Sequence, residues 1–91
     1  MPVKVRFLSP FKEAVGEDEI SFRPLSRKLD VEGLMMELCS KYPKLRSLVF
    51  NEDEEVDYSV NAILNGVPLS DIKKNIKDGD ELTLFIPLSG G

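Results

Sequence analysis

The stretch at residues 76–91 reads I-K-D-G-D-E-L-T-L-F-I-P-L-S-G-G. Every second residue from 82 to 86 is apolar, which is the period of a β-strand with one buried face. The segment before it, 77–80, is a tight connection of the residues that favour turns. We therefore predict a final strand at 81–86, followed by a short tail at 87–91 that leaves the end of a sheet.

Gly90 and Gly91 close the printed sequence. Glycine has no Cβ, so a diglycine segment can adopt almost any backbone conformation and enter a slot too narrow for other residues. We expect a carboxylate on a thin, flexible stem, suited to delivery into another protein's active site. The ordinary alternative is a frayed terminus, because chain ends are often small and polar. The rest of the sequence has to separate the two interpretations.

Two strands are predicted before the longest helix. Residues 3–7 and 19–23 both alternate apolar with polar side chains, and they can form an antiparallel hairpin with an elaborated loop. Between them, Ser9 is expected to cap a short helical turn at 11–15 that Gly16 closes.

One helix is predicted after Asp30, which we expect to be its N-cap. Its apolar side chains recur at i, i+3, i+4, i+7, i+8 and i+11 and form one buried stripe: Val31, Leu34, Met35, Leu38, Cys39 and Tyr42.

After that helix, a shorter turn is expected at 44–49, a strand at 58–64, the Asn65-Gly66 turn and a short capped turn through Ile76. The order β-β-α-β-β predicts one α+β domain over residues 1–91, with the main helix on one face of a mixed sheet. We expect the last strand to lie beside the first.

Composition argues against several classes of function. Sixteen acidic residues stand against twelve basic ones, a net charge of −4, which argues against a nucleic-acid partner. The chain has no histidine, so it cannot form a Ser-His or Cys-His nucleophile pair. Its single cysteine, Cys39, excludes an internal disulfide and a four-cysteine metal site, and is expected in the core. Neither a signal peptide nor a membrane span is visible, so we expect a cytoplasmic protein.

With these features in place, the chain resembles the β-grasp, ubiquitin-like sulfur-carrier family, and within it the small subunit of molybdopterin synthase (MoaD type). The similarity covers nearly the whole chain. It rests on residues 3–7, 12–16, the Leu64-Asn65-Gly66 turn and, most of all, 76–91. The diglycine end together with the Lys-Asp-Gly-Asp-Glu turn is specific in combination, although each piece alone is weak.

The resemblance implies a defined chemistry. An E1-like adenylating enzyme would use ATP to adenylate the Gly91 carboxylate, and a sulfur donor, such as a sulfurtransferase, would convert it to a thiocarboxylate. The tail, Pro87, Leu88, Ser89 and Gly90, would then thread into the large subunit of molybdopterin synthase, where sulfur passes to a pterin precursor. The chain would bind no cofactor or metal and would not itself be an enzyme, because ATP and the catalytic groups would belong to its partners.

Two alternatives use the same activated tail. The chain could modify other proteins through isopeptide bonds to target lysines, or it could supply sulfur for tRNA thiolation. The sequence separates these poorly from the molybdopterin role. A plain β-grasp interaction domain without tail chemistry is a further alternative.

A carrier also needs a docking surface. If Leu82 and Leu84 face the helix, then Phe85 and Leu8 face outward. Ile63 does the same in the third strand. We predict that these residues, together with Val67, dock on partner proteins, since aromatic residues are favoured interface anchors. The alternative is that single exposed apolar residues are ordinary.

Overall fold

The computed structural model describes residues 2–25 and 28–87. The elements in chain order are β1 Val3–Phe7, α1 Phe11–Val15, β2 Glu19–Phe22, β3 Leu29–Asp30, α2 Val31–Lys41, a 3-10 turn Pro43–Leu45, α3 Arg46–Val49, β4 Asn61–Leu64, β5 Val67–Pro68, β6 Asn75–Ile76 and β7 Glu81–Phe85.

Within the described residues, five strands form one mixed sheet in the order β2-β1-β7-β4-β5. The first and last long strands, β1 and β7, run parallel at its centre, as predicted. The strands β1 and β2 form the expected antiparallel hairpin, and β4 pairs antiparallel with both β7 and β5. A separate short pair, β3 with β6, lies outside this sheet.

Packing of α2 against one face of the sheet forms the core. In β1 and β7 the predicted alternation is observed, with every second side chain buried. The helical stripe is confirmed as well, since five of its members are buried: Val31, Leu34, Met35, Leu38 and Cys39. Tyr42 follows the last helical residue and is half-buried against the core. No helix in the described part of the chain is both long and apolar enough to cross a membrane.

Asp30 caps α2 as predicted. Its side-chain oxygen accepts a hydrogen bond from the Gly33 N–H at 2.7 Å, which satisfies one of the free donors at the start of the helix. We expect Asp30→Ala to lower the free energy of unfolding by about 1 kcal/mol, and Asp30→Ser to recover most of that loss. Urea unfolding followed by circular dichroism measures both. Equal stability of the alanine and serine variants would contradict the capping role.

Three local predictions are wrong. The strand expected at 58–64 begins only at Asn61, because the Asp57 carboxylate accepts hydrogen bonds from the Ser59 N–H and hydroxyl, at 2.9 and 2.7 Å, and holds a turn there. Ser9 does not cap α1. Its hydroxyl donates to the Glu13 carboxylate at 2.6 Å, and Pro10 occupies the N-cap position.

The third correction concerns the segment after β5. It was expected to be a short capped turn through Ile76, but it ends in β6, which pairs with β3. Two further hydrogen bonds extend this contact, from the Val31 N–H to the Lys74 carbonyl at 3.0 Å and from the Glu32 N–H to the Ile72 carbonyl at 2.9 Å. This segment therefore ties the N-terminus of α2 to the chain that leads into β7.

Candidate functional site

The central strand β7 leads the chain out of the fold at one end of the sheet. It lies between β1 and β4 and ends at Phe85. Ile86 then packs partly against the core, and Pro87 is exposed and is the last described residue. The other predicted tail residues, Leu88, Ser89, Gly90 and Gly91, lie outside the described residues. The predicted tail therefore leaves the fold from a strand that is hydrogen-bonded to β1 on one side and to β4 on the other.

Hydrogen bonds at the turn before β7 determine where that strand begins. The Asp80 carboxylate accepts from the Lys77 N–H at 2.8 Å and from the Asn65 side-chain amide at 3.0 Å. The Asn65 side-chain oxygen in turn accepts from the Glu81 N–H at 2.9 Å. Gly79 has a φ of 87°, a left-handed conformation that favours glycine. The Lys-Asp-Gly-Asp-Glu turn therefore anchors the β4–β5 hairpin to the start of β7.

Three apolar side chains lie on the sheet face opposite α2, beside the exit of the chain. The register places Ile63 opposite Thr83 and therefore diagonal to Phe85. The Leu8 N–H donates to the Leu84 carbonyl at 3.0 Å, so the parallel pairing of β1 with β7 continues by one residue and sets Leu8 beside Phe85. Phe85 and Ile63 are half-buried, and Leu8 is 46% exposed. We call these three residues the exit patch.

Pro68 extends the exit patch and was missed from the sequence. It lies opposite Ile63 in the β4–β5 pair, so the two side chains share a face, and Pro68 is exposed. The sequence did carry a signal for this position. A two-residue Asn-Gly turn at 65–66 fixes the hairpin register and so pairs residue 63 with residue 68.

The same register separates Val67 from the exit patch. Val67 lies opposite Leu64, whose side chain is buried on the α2 side of the sheet. Val67 is 64% exposed, as expected, but at the β5 edge and on the other face. Only three of the four predicted docking residues therefore form one surface.

Charged side chains border the exit patch. Arg6 and Lys4 both approach the Glu19 carboxylate, at 3.1 and 3.9 Å. Lys12 pairs with Asp18 at 2.8 Å, and the hydrogen bond and charge of that carboxylate raise the pKa of the lysine. These exposed pairs contribute little to stability. They place charged groups along the β1–β2 side of the exit patch. An apolar centre bordered by polar groups is the usual anatomy of a protein interface.

Cys39 is buried in the core, as predicted, and burial raises the pKa of its thiol to about 11. At pH 8 only about 0.1% of such a thiol is ionised, and the thiolate is the reactive form. We expect no reaction of the native protein with iodoacetamide in an hour at pH 8, and full alkylation in urea. Intact-mass analysis measures this. Rapid alkylation of the folded protein would show that Cys39 is an accessible nucleophile.

The prediction that the chain holds no metal concerns its acidic and cysteine side chains. In segments 2–25 and 28–87, no three Asp, Glu or Cys side chains come together as a metal site.

No protein-family model matches the chain. Among curated proteins it is similar to small archaeal modifier protein 3 of Haloferax volcanii, with 32% identity over 94 residues that cover all of both chains. Among solved structures it is similar to small archaeal modifier protein 1 (SAMP1) of the same organism, with a TM-score of 0.88, 26% identity and full coverage of both chains.

Two further structures have the same fold. One is a putative molybdopterin-converting factor subunit 1 from Pyrococcus furiosus, with a TM-score of 0.77, 28% identity and 97% and 99% of the two chains covered. The other is a complex of subunits 1 and 2 of the Helicobacter pylori factor, with a TM-score of 0.63, 23% identity and full coverage. These likenesses confirm the predicted β-grasp, ubiquitin-like fold.

Proposed function

Because the chain belongs to the family of small archaeal modifier proteins, we propose that it acts as a sulfur carrier whose Gly91 carboxylate is the working group. An E1-like enzyme transfers AMP from ATP to this carboxylate and releases pyrophosphate. A hydrosulfide equivalent from a sulfur donor then displaces AMP and leaves a thiocarboxylate.

The chemistry explains why two steps are needed. A free carboxylate is a poor electrophile because its oxygen leaves badly, whereas AMP is a good leaving group. The thiocarboxylate sulfur is nucleophilic and mostly ionised at neutral pH. None of these steps needs a side chain of the carrier itself. The chain has no histidine, and its one cysteine is buried with a raised pKa, which suits a protein whose catalytic groups belong to partners.

The observation that carries this proposal is the position of the chain's exit. The strand that leads to the diglycine lies at the centre of the sheet, and the exit patch stands beside its end. A partner that binds the exit patch would hold the tail in a fixed direction relative to its own active site. This favours delivery of the tail over a terminus without function.

We propose the molybdopterin precursor as the acceptor of the sulfur. The likeness to a molybdopterin-converting factor subunit 1 over 97% of this chain supports this choice. The large subunit of molybdopterin synthase would then be the second partner and would receive the tail after activation.

Protein modification is the second candidate function, and the name of the full-length relative, a modifier protein, favours it. In this reaction a lysine amine of a target protein attacks the activated Gly91 carbonyl and displaces AMP or a thiol, which leaves an isopeptide bond. Sulfur supply for tRNA thiolation uses the same activated tail and is the third candidate function.

Recovery of the protein from its native host separates these functions. Co-purification with a synthase large subunit, together with a thiocarboxylate at Gly91, is the result that the molybdopterin role requires. Branched peptides that carry a Gly-Gly remnant on lysine would instead assign protein modification. Loss of tRNA thiolation on deletion, with molybdenum cofactor unchanged, would assign the tRNA role and contradict our choice of acceptor.

A further inference from the structure

The outer edge of β2 is open. The Phe7 N–H donates to the Asp18 carbonyl at 2.8 Å, and the same register pairs Val5 with Ile20 and Lys4 with Ser21. Since alternate residues of an antiparallel ladder turn their backbone groups toward the partner strand, the N–H and carbonyl of Ser21 point away from β1. Within the described segments, no strand of the sheet lies on that side.

The opposite edge of the sheet, at β5, is poorly suited to pair with another strand. There β5 consists of two residues, and Pro68 has no N–H to offer. Short strands and prolines are the usual means by which proteins block an edge. In β2, four residues run without a proline before Pro24. The β2 edge is therefore the side of the sheet that can accept another strand.

A groove of about 540 Å³ runs beside this edge, between β2 and α2. Phe22 and Leu25 supply its apolar surface, and Ser40 and Lys41 line the helix side. Leu25 is 93% exposed, although its N–H is held by the Glu37 carboxylate at 2.8 Å. A fixed backbone that presents a bare leucine into a groove is suited to contact with another apolar side chain.

The groove's charge is opposite to that of the chain. Arg23 and Lys41 line it, and the Lys41 ammonium lies 5.7 Å from the centre of the Phe22 ring. Among the described residues of the lining, Glu37 is the one acidic side chain, and its carboxylate accepts the Leu25 N–H. A protein with a net charge of −4 thus presents a positive groove next to an open edge. This combination favours an acidic partner.

We propose that β2 and this groove bind an extended segment of a partner protein, with apolar side chains at alternate positions and acidic residues at its ends. The segment adds a sixth strand to the sheet beside Ser21, its apolar side chains contact Phe22 and Leu25, and its acidic ends face Arg23 and Lys41. This is strand addition, in which backbone hydrogen bonds give affinity and side-chain pockets give specificity. The inference does not depend on the tail chemistry, because β1 lies between β2 and β7, the strand that leads to the tail.

The probe is the blocked peptide Asp-Glu-Val-Thr-Val-Ser-Asp-Glu, titrated into isotope-labelled protein and followed by amide chemical shifts. We expect saturable shifts at residues 19–23 and 37–41. Ser21→Pro removes the outward N–H and leaves the β1 ladder intact, so it should weaken binding about tenfold. Ser21→Thr keeps the N–H and should bind within about twofold of the unchanged protein.

Charge is tested by a matched pair of lysine substitutions. Lys41→Gln should weaken binding up to about fivefold, whereas Lys44→Gln, an exposed lysine outside the groove lining, should have no effect. Deletion of Gly91 should leave peptide binding unchanged. Failure of the proposed Gly91 chemistry would therefore not contradict the proposed strand addition at β2.

Four results would overturn the proposal. The first is that no amide shifts appear at millimolar peptide, and the second is that the shifts fall on the exit patch or β5 instead of β2. The third is that Ser21→Pro and Ser21→Thr bind the peptide equally well. The fourth is that the β2 amides shift with protein concentration alone, which would make a second copy of the chain the occupant.

Discussion

Deletion of Gly91 is expected to abolish activation of the chain while leaving the domain folded. Removal of one residue retracts the carboxylate by ~3.5 Å, and a misplacement of 1 Å at a reacting centre can cost about 10²-fold. We therefore expect a loss of more than about 10³-fold in pyrophosphate exchange catalysed by the cognate adenylating enzyme. One alanine added after Gly91 should have the same effect, because it places a methyl group beside the carboxylate that must enter the enzyme.

The matched control is Ser89→Ala, which changes a tail side chain without moving the carboxylate. It should retain activation within about tenfold, since at most one hydrogen bond is lost. The urea midpoint of all three variants should equal that of the unchanged protein, because every buried residue of the described core lies between Val3 and Leu84. Normal exchange by the deletion or the extension would contradict the proposed role of Gly91.

Phe85→Asp is expected to weaken docking on the adenylating enzyme and on the synthase large subunit by about 30- to 1000-fold. This corresponds to a loss of about 2–4 kcal/mol, the range for a central aromatic anchor. The substitution would place a charge at the centre of the exit patch, on the face away from the core. Titration calorimetry with each purified partner measures the effect, and circular dichroism verifies that the domain is folded.

Val67→Asp is the matched control, because it introduces the same charge at an exposed apolar residue on the other face of the sheet. It should change affinity by less than about threefold. Unchanged affinity of Phe85→Asp, or equal losses in the two variants, would show that the exit patch is not the docking surface. Both partners are expected to lose affinity together, because each has to receive the same tail.

Strong periodicity explains which parts of the fold could be predicted. The alternation at 3–7 and 81–86 and the helical stripe after Asp30 each repeat often enough to identify the element and its buried face. The patch residues Phe85 and Leu8 followed from that alternation, because the side chains between buried positions must point outward.

The errors arose where the deciding contact is short or distant in sequence. At 58–60 an apolar alternation is overridden by the Asp57 side chain, which prefers a turn with Ser59. The β3–β6 pair contains two residues on each side. It joins Leu29 to Ile76 and Asp30 to Asn75, which are 47 and 45 positions apart in the sequence, so no local period reveals it. The side of the sheet on which Val67 lies is set by the β4–β5 register across the Asn65-Gly66 turn. Alternation of apolar residues within one strand does not reveal that register.

The central claim is that sulfur is carried on the C-terminal carboxyl group. Mass spectrometry of the C-terminal peptide from protein isolated from its native host tests this most directly. We predict a fraction of molecules in which one oxygen of the Gly91 carboxyl is replaced by sulfur, and none when the adenylating enzyme is deleted. A C-terminal peptide that carries only oxygen in every molecule, with any added sulfur found on Cys39 instead, would contradict the account.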